Sequence, residues 1–130
     1  MIIEVDNERT YIPRWNENRE SEDGEQIKVT HRFLKAGERK KYIYTKPLKL
    51  SMDTGTVSGD VEYVQDEQGI CKALITKIEN LQVKDKKSGA VVKVESATAL
   101  YNTPGVPQGL VSEIESYMLT ASPEVDGDFL

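Results

Sequence analysis

Gln26-Ile27-Lys28-Val29-Thr30-His31-Arg32-Phe33-Leu34 is the stretch whose pattern decides the fold class. Ile27, Val29, His31 and Phe33 fall on one side, and Lys28, Thr30 and Arg32 on the other. That period of two marks a strand with one buried face. His31 shares its side with three apolar residues, so it reads as a core or sheet-margin histidine with one hydrogen-bond partner. The sharper alternative is a ligand or catalytic histidine.

Toward the N-terminus, Ile2 to Val5 and Thr10 to Ile12 are β-prone runs with Asp6-Asn7-Glu8 between them. Asp and Asn tolerate left-handed backbone, which predicts an opening hairpin. Pro13 then ends the second strand or puts it at an edge, because it has no N–H for a ladder. Trp15 follows, beside the polar stretch from Asn16 to Gly24. A tryptophan there either folds back to cap a core or stands out as an anchor for a partner.

Toward the C-terminus, Ala36 to Tyr44 reads as a short basic helix, although Tyr42, Ile43 and Tyr44 are β-prone, and both types stay open. Residues 46–60 carry Ser51, Asp53, Thr54, Gly55, Thr56, Ser58 and Gly59 and read as a flexible loop. Asp60 is a plausible N-cap for a helix in which Val61, Val64, Cys71, Leu74, Ile75, Ile78 and Leu81 recur at helical spacing. Gly69 weakens its first half, so the firmer prediction is a helix over Ile70 to Leu81. Val83 and the group Val91, Val92 and Val94 flank Lys86-Lys87-Ser88-Gly89, which fits a hairpin with Gly89 at positive φ. Ser96 can cap a single turn from Ala97 to Asn102, and Thr103-Pro104-Gly105 breaks it. A second helix runs from Pro107 to Ala121 with the stripe Leu110, Val111, Ile114, Tyr117, Met118 and Ala121. The expected architecture is α+β: N-terminal antiparallel strands packed with two amphipathic helices, and a small hairpin between the helices. One domain is expected over 1–121, with an acidic tail at 122–130.

The chain has 130 residues, enough for a core in one domain. Hydrophobic content of 38% is low and charged content of 30% high, which predicts a share of loop or tail. A net charge of −5 argues against broad attraction to nucleic acid phosphate. The local exception is Arg32, Lys35, Arg39, Lys40, Lys41, Lys46 and Lys49, either a solvated face or a patch for an anionic partner. No apolar run approaches the ~20 residues of a membrane span. No signal-peptide pattern opens the sequence, and a lone cysteine forms no internal disulfide, so synthesis in a reducing cytoplasm is expected.

Cys71 and His31 are single copies of their kinds, which excludes a Cys/His zinc site drawn from one chain. Neutral-pH chemistry leans on imidazole or thiolate, so the expectation is no enzyme, no metal and no cofactor. Cys71 itself lies in a periodic apolar pattern and reads as a small buried hydrophobe. Asp53-Thr54-Gly55 spells the aspartic-protease tripeptide but has no second copy to share a proton with. Glu124, Asp126 and Asp128 are too closely spaced for a calcium loop, and no glycine-rich loop leads into lysine and serine or threonine.

Tyr11-Ile12-Pro13-Arg14-Trp15-Asn16-Glu17-Asn18, followed by Glu25-Gln26-Ile27-Lys28-Val29, resembles the opening of small proteins from the tail gene clusters of tailed bacteriophages and prophages. The downstream order is also similar to theirs: Lys77-Ile78-Glu79-Asn80-Leu81, a turn at Lys86 to Gly89, a capped turn at Ser96 to Leu100, then Leu110-Val111-Ser112-Glu113-Ile114. Tail assembly chaperones are among those proteins, and they cover apolar helices of the tape-measure protein until tube subunits replace them. The resemblance therefore implies a non-catalytic structural or assembly protein that works by contact with other proteins, such as tape-measure or tube. It would lie in the host cytoplasm or with the virion. Weak helix-in-groove contacts suit that task. The stripes Leu74, Ile75 and Ile78, or Leu110, Ile114 and Met118, are then candidate contact faces, with Trp15 as an anchor and a homo-oligomer as one form of contact. Neither nucleic acid nor membrane is an expected partner. The alternatives are a bacterial adaptor domain with no phage link and a small enzyme using carboxylates alone.

Overall fold

The alternating stretch becomes the middle strand of a three-stranded antiparallel sheet. In the computed structural model, which describes residues 1–47 and 61–123, the strands β1 (Arg9–Tyr11), β2 (Lys28–His31) and β5 (Ile75–Glu79) lie in the order β1-β2-β5. Between them in sequence come α1 (Arg39–Tyr42), β3 (Ile43–Pro47), β4 (Val61–Gln65) and α2 (Glu67–Leu74). After β5 follow β6 (Gln82–Lys84), β7 (Val91–Lys93), α3 (Ala97–Asn102) and α4 (Gln108–Thr120). The fold is α+β. Strands β3 and β4 form one two-stranded antiparallel sheet, and β6 and β7 another.

The chain divides into two compact units. One comprises Met1–Phe33 with Glu67–Leu130, the other Leu34–Asp66. Helices α2 and α4 pack together in the first unit, with α3 beside α2 and β5. Its core includes Val29, Ile70, Leu74, Ile78, Leu100, Leu110, Ile114 and Met118, each 2% exposed or less. Burying one such side chain contributes about 1.5–3 kcal/mol. Ser96 caps α3 as expected, its Oγ accepting from the Ala99 N–H at 3.1 Å. Gly89 has φ +72 at the turn between β6 and β7.

Two expectations are corrected. The first concerns the helix over Ile70 to Leu81: α2 ends at Leu74 and β5 begins at Ile75. The cause is a bulge. Thr30 pairs with Lys77 while His31 pairs with Ile75, so Thr76 is the extra residue. That insertion puts Ile75 and Ile78, three apart, in the same buried layer and imitates helical spacing. Val61 and Val64, assigned to the same helix, lie in β4.

The second is the opening hairpin. Residues 1–6 are not in a strand, and β1 pairs with β2 instead. The pairing with β2 carries Tyr11 into the core, which Ile2 and Val5 could not match against a two-strand ribbon alone. The loop expected at 46–60 lies outside the described residues except for Lys46 and Pro47, which end β3. The tail at 122–130 lies outside them except for Ser122 and Pro123.

Candidate interaction surfaces

Helix α4 carries one of the two candidate contact stripes, and that stripe faces inward. Leu110, Ile114 and Met118 are 0%, 0% and 1% exposed, all within the first unit. Leu74, Ile75 and Ile78 are buried as well. Both helical stripes are consumed by the fold, so contact through either would require the unit to open. The correction has a simple origin: an apolar stripe has the same spacing whether its cover is the same chain or another.

Trp15 begins a 3-10 turn, Trp15–Glu20, and is half-buried. Its indole lies against the first turn of α4, where a Cβ on Gly109 would stand 3.2 Å from Nε1. The tryptophan therefore caps the core and does not stand out as an anchor. Asn16 and Glu17 within the turn have φ 49 and 58, left-handed values that asparagine tolerates and glutamate adopts at a cost. Asn18 holds the strained turn in place. Its Nδ2 donates to the carbonyls of Pro13 (2.8 Å) and Ile27 (3.1 Å), and its Oδ1 accepts from the Ile27 N–H (2.7 Å). Sequence pattern did not single out Asn18, because its partners Pro13 and Ile27 lie five positions before it and nine after it, outside any periodic run.

A chain of polar aromatic contacts joins the sheet to α4. The Tyr11 and Tyr117 rings stack with centroids 3.8 Å apart. His31 Nδ1 lies 2.8 Å from the Arg32 carbonyl, which can only accept, so Nδ1 carries the proton. Nε2 then accepts from the Tyr117 hydroxyl at 2.8 Å. Burial pushes the His31 pKa below its ordinary 6.5, opposed by the bond to Arg32. The Tyr11 hydroxyl and the Arg14 N–H both donate to Glu113 Oε2, at 2.6 and 2.7 Å. Burial, then that bond, pushes the Tyr11 pKa up. Tyr11, Arg14, Glu113, Ser116, Tyr117 and Thr120 line an open cleft of about 370 Å³. The sequence offered Tyr117 only as part of a stripe and did not mark Glu113.

Cys71 is buried, and burial pushes its thiol up to about 11, against the effect of a hydrogen bond with Tyr101. The Tyr101 hydroxyl donates to Glu115 Oε2 at 2.7 Å. These are packed, satisfied groups. Among the described residues no group of three His, Cys, Asp or Glu side chains is placed to hold a metal ion, and no helix is long and apolar enough to cross a membrane.

Exposed apolar side chains lie on strands and on the N-terminal arm. On β3 and β4, Tyr44, Val61 and Tyr63 are 42%, 59% and 60% exposed. Val91 and Val92 on β7 are exposed, as are Met1, Ile2, Ile3 and Val5. In the register of β3 and β4, Thr45 faces Tyr63 and Pro47 faces Val61, while Tyr44 faces Val64 and Lys46 faces Glu62. Lys46 and Glu62 make an ion pair at 3.4 Å, across strands and open to solvent. None of the described residues of the unit Leu34–Asp66 is buried. No protein-family model, curated protein or solved structure matches the chain.

Proposed function

We propose that this chain is a non-catalytic assembly protein that works by contact with other proteins through its strands. One observation carries the reading: the hairpin unit Leu34–Asp66 has no buried described residue, yet Tyr44, Val61 and Tyr63 stand exposed on its strands. A two-stranded hairpin is marginal in water by itself, so apolar side chains on both of its faces favour a covering partner. The contact mode is strand and strand-face docking, in place of the helix-in-groove mode expected from the stripes.

The finer part of the proposal is a tail-cluster protein of tailed phages or prophages, of the tail assembly chaperone kind, in the host cytoplasm or with the virion. The resemblance around Tyr11 to Asn18 supports it, and in the structure that segment forms the strained turn fastened by Asn18. Co-expression with the tape-measure protein of its own gene cluster is the test. Wild type should keep that protein soluble and be recovered with it, and the Tyr44→Glu/Tyr63→Glu variant should not. Equal solubility with both, or with neither, removes the reading. Tape-measure and tube genes beside this one separate the phage reading from a general adaptor.

A further inference from the structure

The same hairpin has an open edge, and the same chain carries a strand-former with no strand to join. Among the described residues, neither β3 nor β4 has a second neighbour. The Asp66 N–H donates to the Tyr42 carbonyl at 2.7 Å, which fixes which residues of β3 turn their backbone inward. Tyr42, Tyr44 and Lys46 bond toward β4, because alternate residues of a strand point their N–H and C=O to opposite sides. The N–H and carbonyl of Thr45, with the carbonyls of Ile43 and Pro47, therefore face out along the β3 edge, while the Ile43 N–H, at the end of α1, donates to the Arg39 carbonyl. Pro47 has no N–H to leave unpaired there.

Met1-Ile2-Ile3-Glu4-Val5-Asp6 has strand-forming composition, is in no strand, and is exposed along its apolar side chains. Its acids, Glu4 and Asp6, oppose the cations of the unit that holds the open edge. Arg39, Lys40 and Lys41 of α1 run directly into β3, and Lys46 lies on β3 itself. The β4 edge is unsuited, since Glu62 there would face Glu4.

We infer that the arm Ile2 to Val5 of one chain adds to the β3 edge of a second copy of the same chain. A parallel register sets Ile2 beside Tyr44, Ile3 beside Thr45, Glu4 beside Lys46 and Val5 beside Pro47. Glu4 then meets its opposite charge, while Ile3 and Val5 extend the face that carries Val61 and Tyr63. Main-chain bonds supply the affinity and the alternating side chains the register. The inference rests on the proposed contact function and names one partner within it.

Two variants and a mixture test it. Ile3→Asp/Val5→Asp disables the arm, whose side chains are exposed, so folding is not at issue. Thr45→Pro removes an outward N–H and leaves the ladder with β4 intact. Wild type should have at least twice the 14.6 kDa mass of one chain in light scattering. Each variant alone should fall to the single-chain mass with an unchanged circular dichroism spectrum. Mixed, they should form a one-to-one pair, because one supplies the arm and the other the edge. A monomeric wild type overturns the inference, as does an arm variant of undiminished mass or a mixture that stays monomeric. A monomeric wild type that still keeps the tape-measure protein soluble would remove this inference alone, whereas a self-paired wild type that does not keep it soluble would remove the function and leave the pairing.

Discussion

His31 shows at the level of one residue how an apolar pattern can carry a polar group inside. The ring is 0% exposed, and both nitrogens have partners, the Arg32 carbonyl and the Tyr117 hydroxyl. Charging it would place a cation in a buried site beside the Phe33 and Tyr117 rings, with the Arg9 charge also opposing protonation. The unfolded chain takes up this proton near 6.5 and the folded chain only at lower pH. Between those points the unfolded state binds more protons, so stability falls as pH drops below about 6.5. The alkaline side has the opposite sign. Cys71 ordinarily loses its proton at 9.0 and here holds it to about 11, so the unfolded state binds fewer protons and stability falls as pH rises above 9.0. Urea midpoints across this range should form a plateau that drops on both sides. In His31→Gln the acid-side drop should shrink, and in Cys71→Ala the alkaline drop should shrink; unchanged curves would contradict these assignments.

At the scale of elements, α4 decides what the molecule can offer a partner. Ile114 and Met118 lie one turn apart and inside. Changing both to aspartate buries two unpaired carboxylates or frees the helix, and a single unpaired buried charge already costs several kcal/mol. The Ile114→Asp/Met118→Asp protein should be unfolded by circular dichroism, with the cooperative thermal transition lost. A folded double variant would mean that the stripe is exposed in solution. The same scale holds the error over Ile70 to Leu81. Glu67 to Leu74 is helical because its apolar residues Ile70, Cys71 and Leu74 face one side. Ile75, Thr76 and Ile78 are β-branched, and pairing with β2 claims them.

For the whole molecule, stability should be uneven between the two units. The first has a buried core and the second, among its described residues, none. Amides whose protection depends on exposed hydrogen bonds open at low free energy. Hydrogen exchange on the Ile3→Asp/Val5→Asp variant should therefore release the ladder amides of Tyr44 and Val64 well before the core amides of Val29 and Ile78, the latter bonded to the Glu95 carbonyl. The gap should be about a hundredfold or more, the equivalent of ~3 kcal/mol. Equal protection would show that the hairpin is held as firmly as the core.

What the sequence determined by itself were the features set by local chemistry. The alternation at Ile27 to Phe33 gave β2, the Ser96 cap gave α3, the Pro107 start gave α4, and Gly89 gave the turn between β6 and β7. Each depends on neighbours within a few positions, so each is legible along the chain. Tertiary structure alone decided the rest. The bulge at Thr76 arises from β2 across the sheet, and the arm lost its hairpin because β2 offered β1 a better partner. Glu113 meets Tyr11, and His31 meets Tyr117, across most of the chain. Which apolar residues remain exposed was settled the same way. Sequence fixes how many apolar side chains there are and their spacing, but their cover depends on which elements reach them in space, and that is a property of packing.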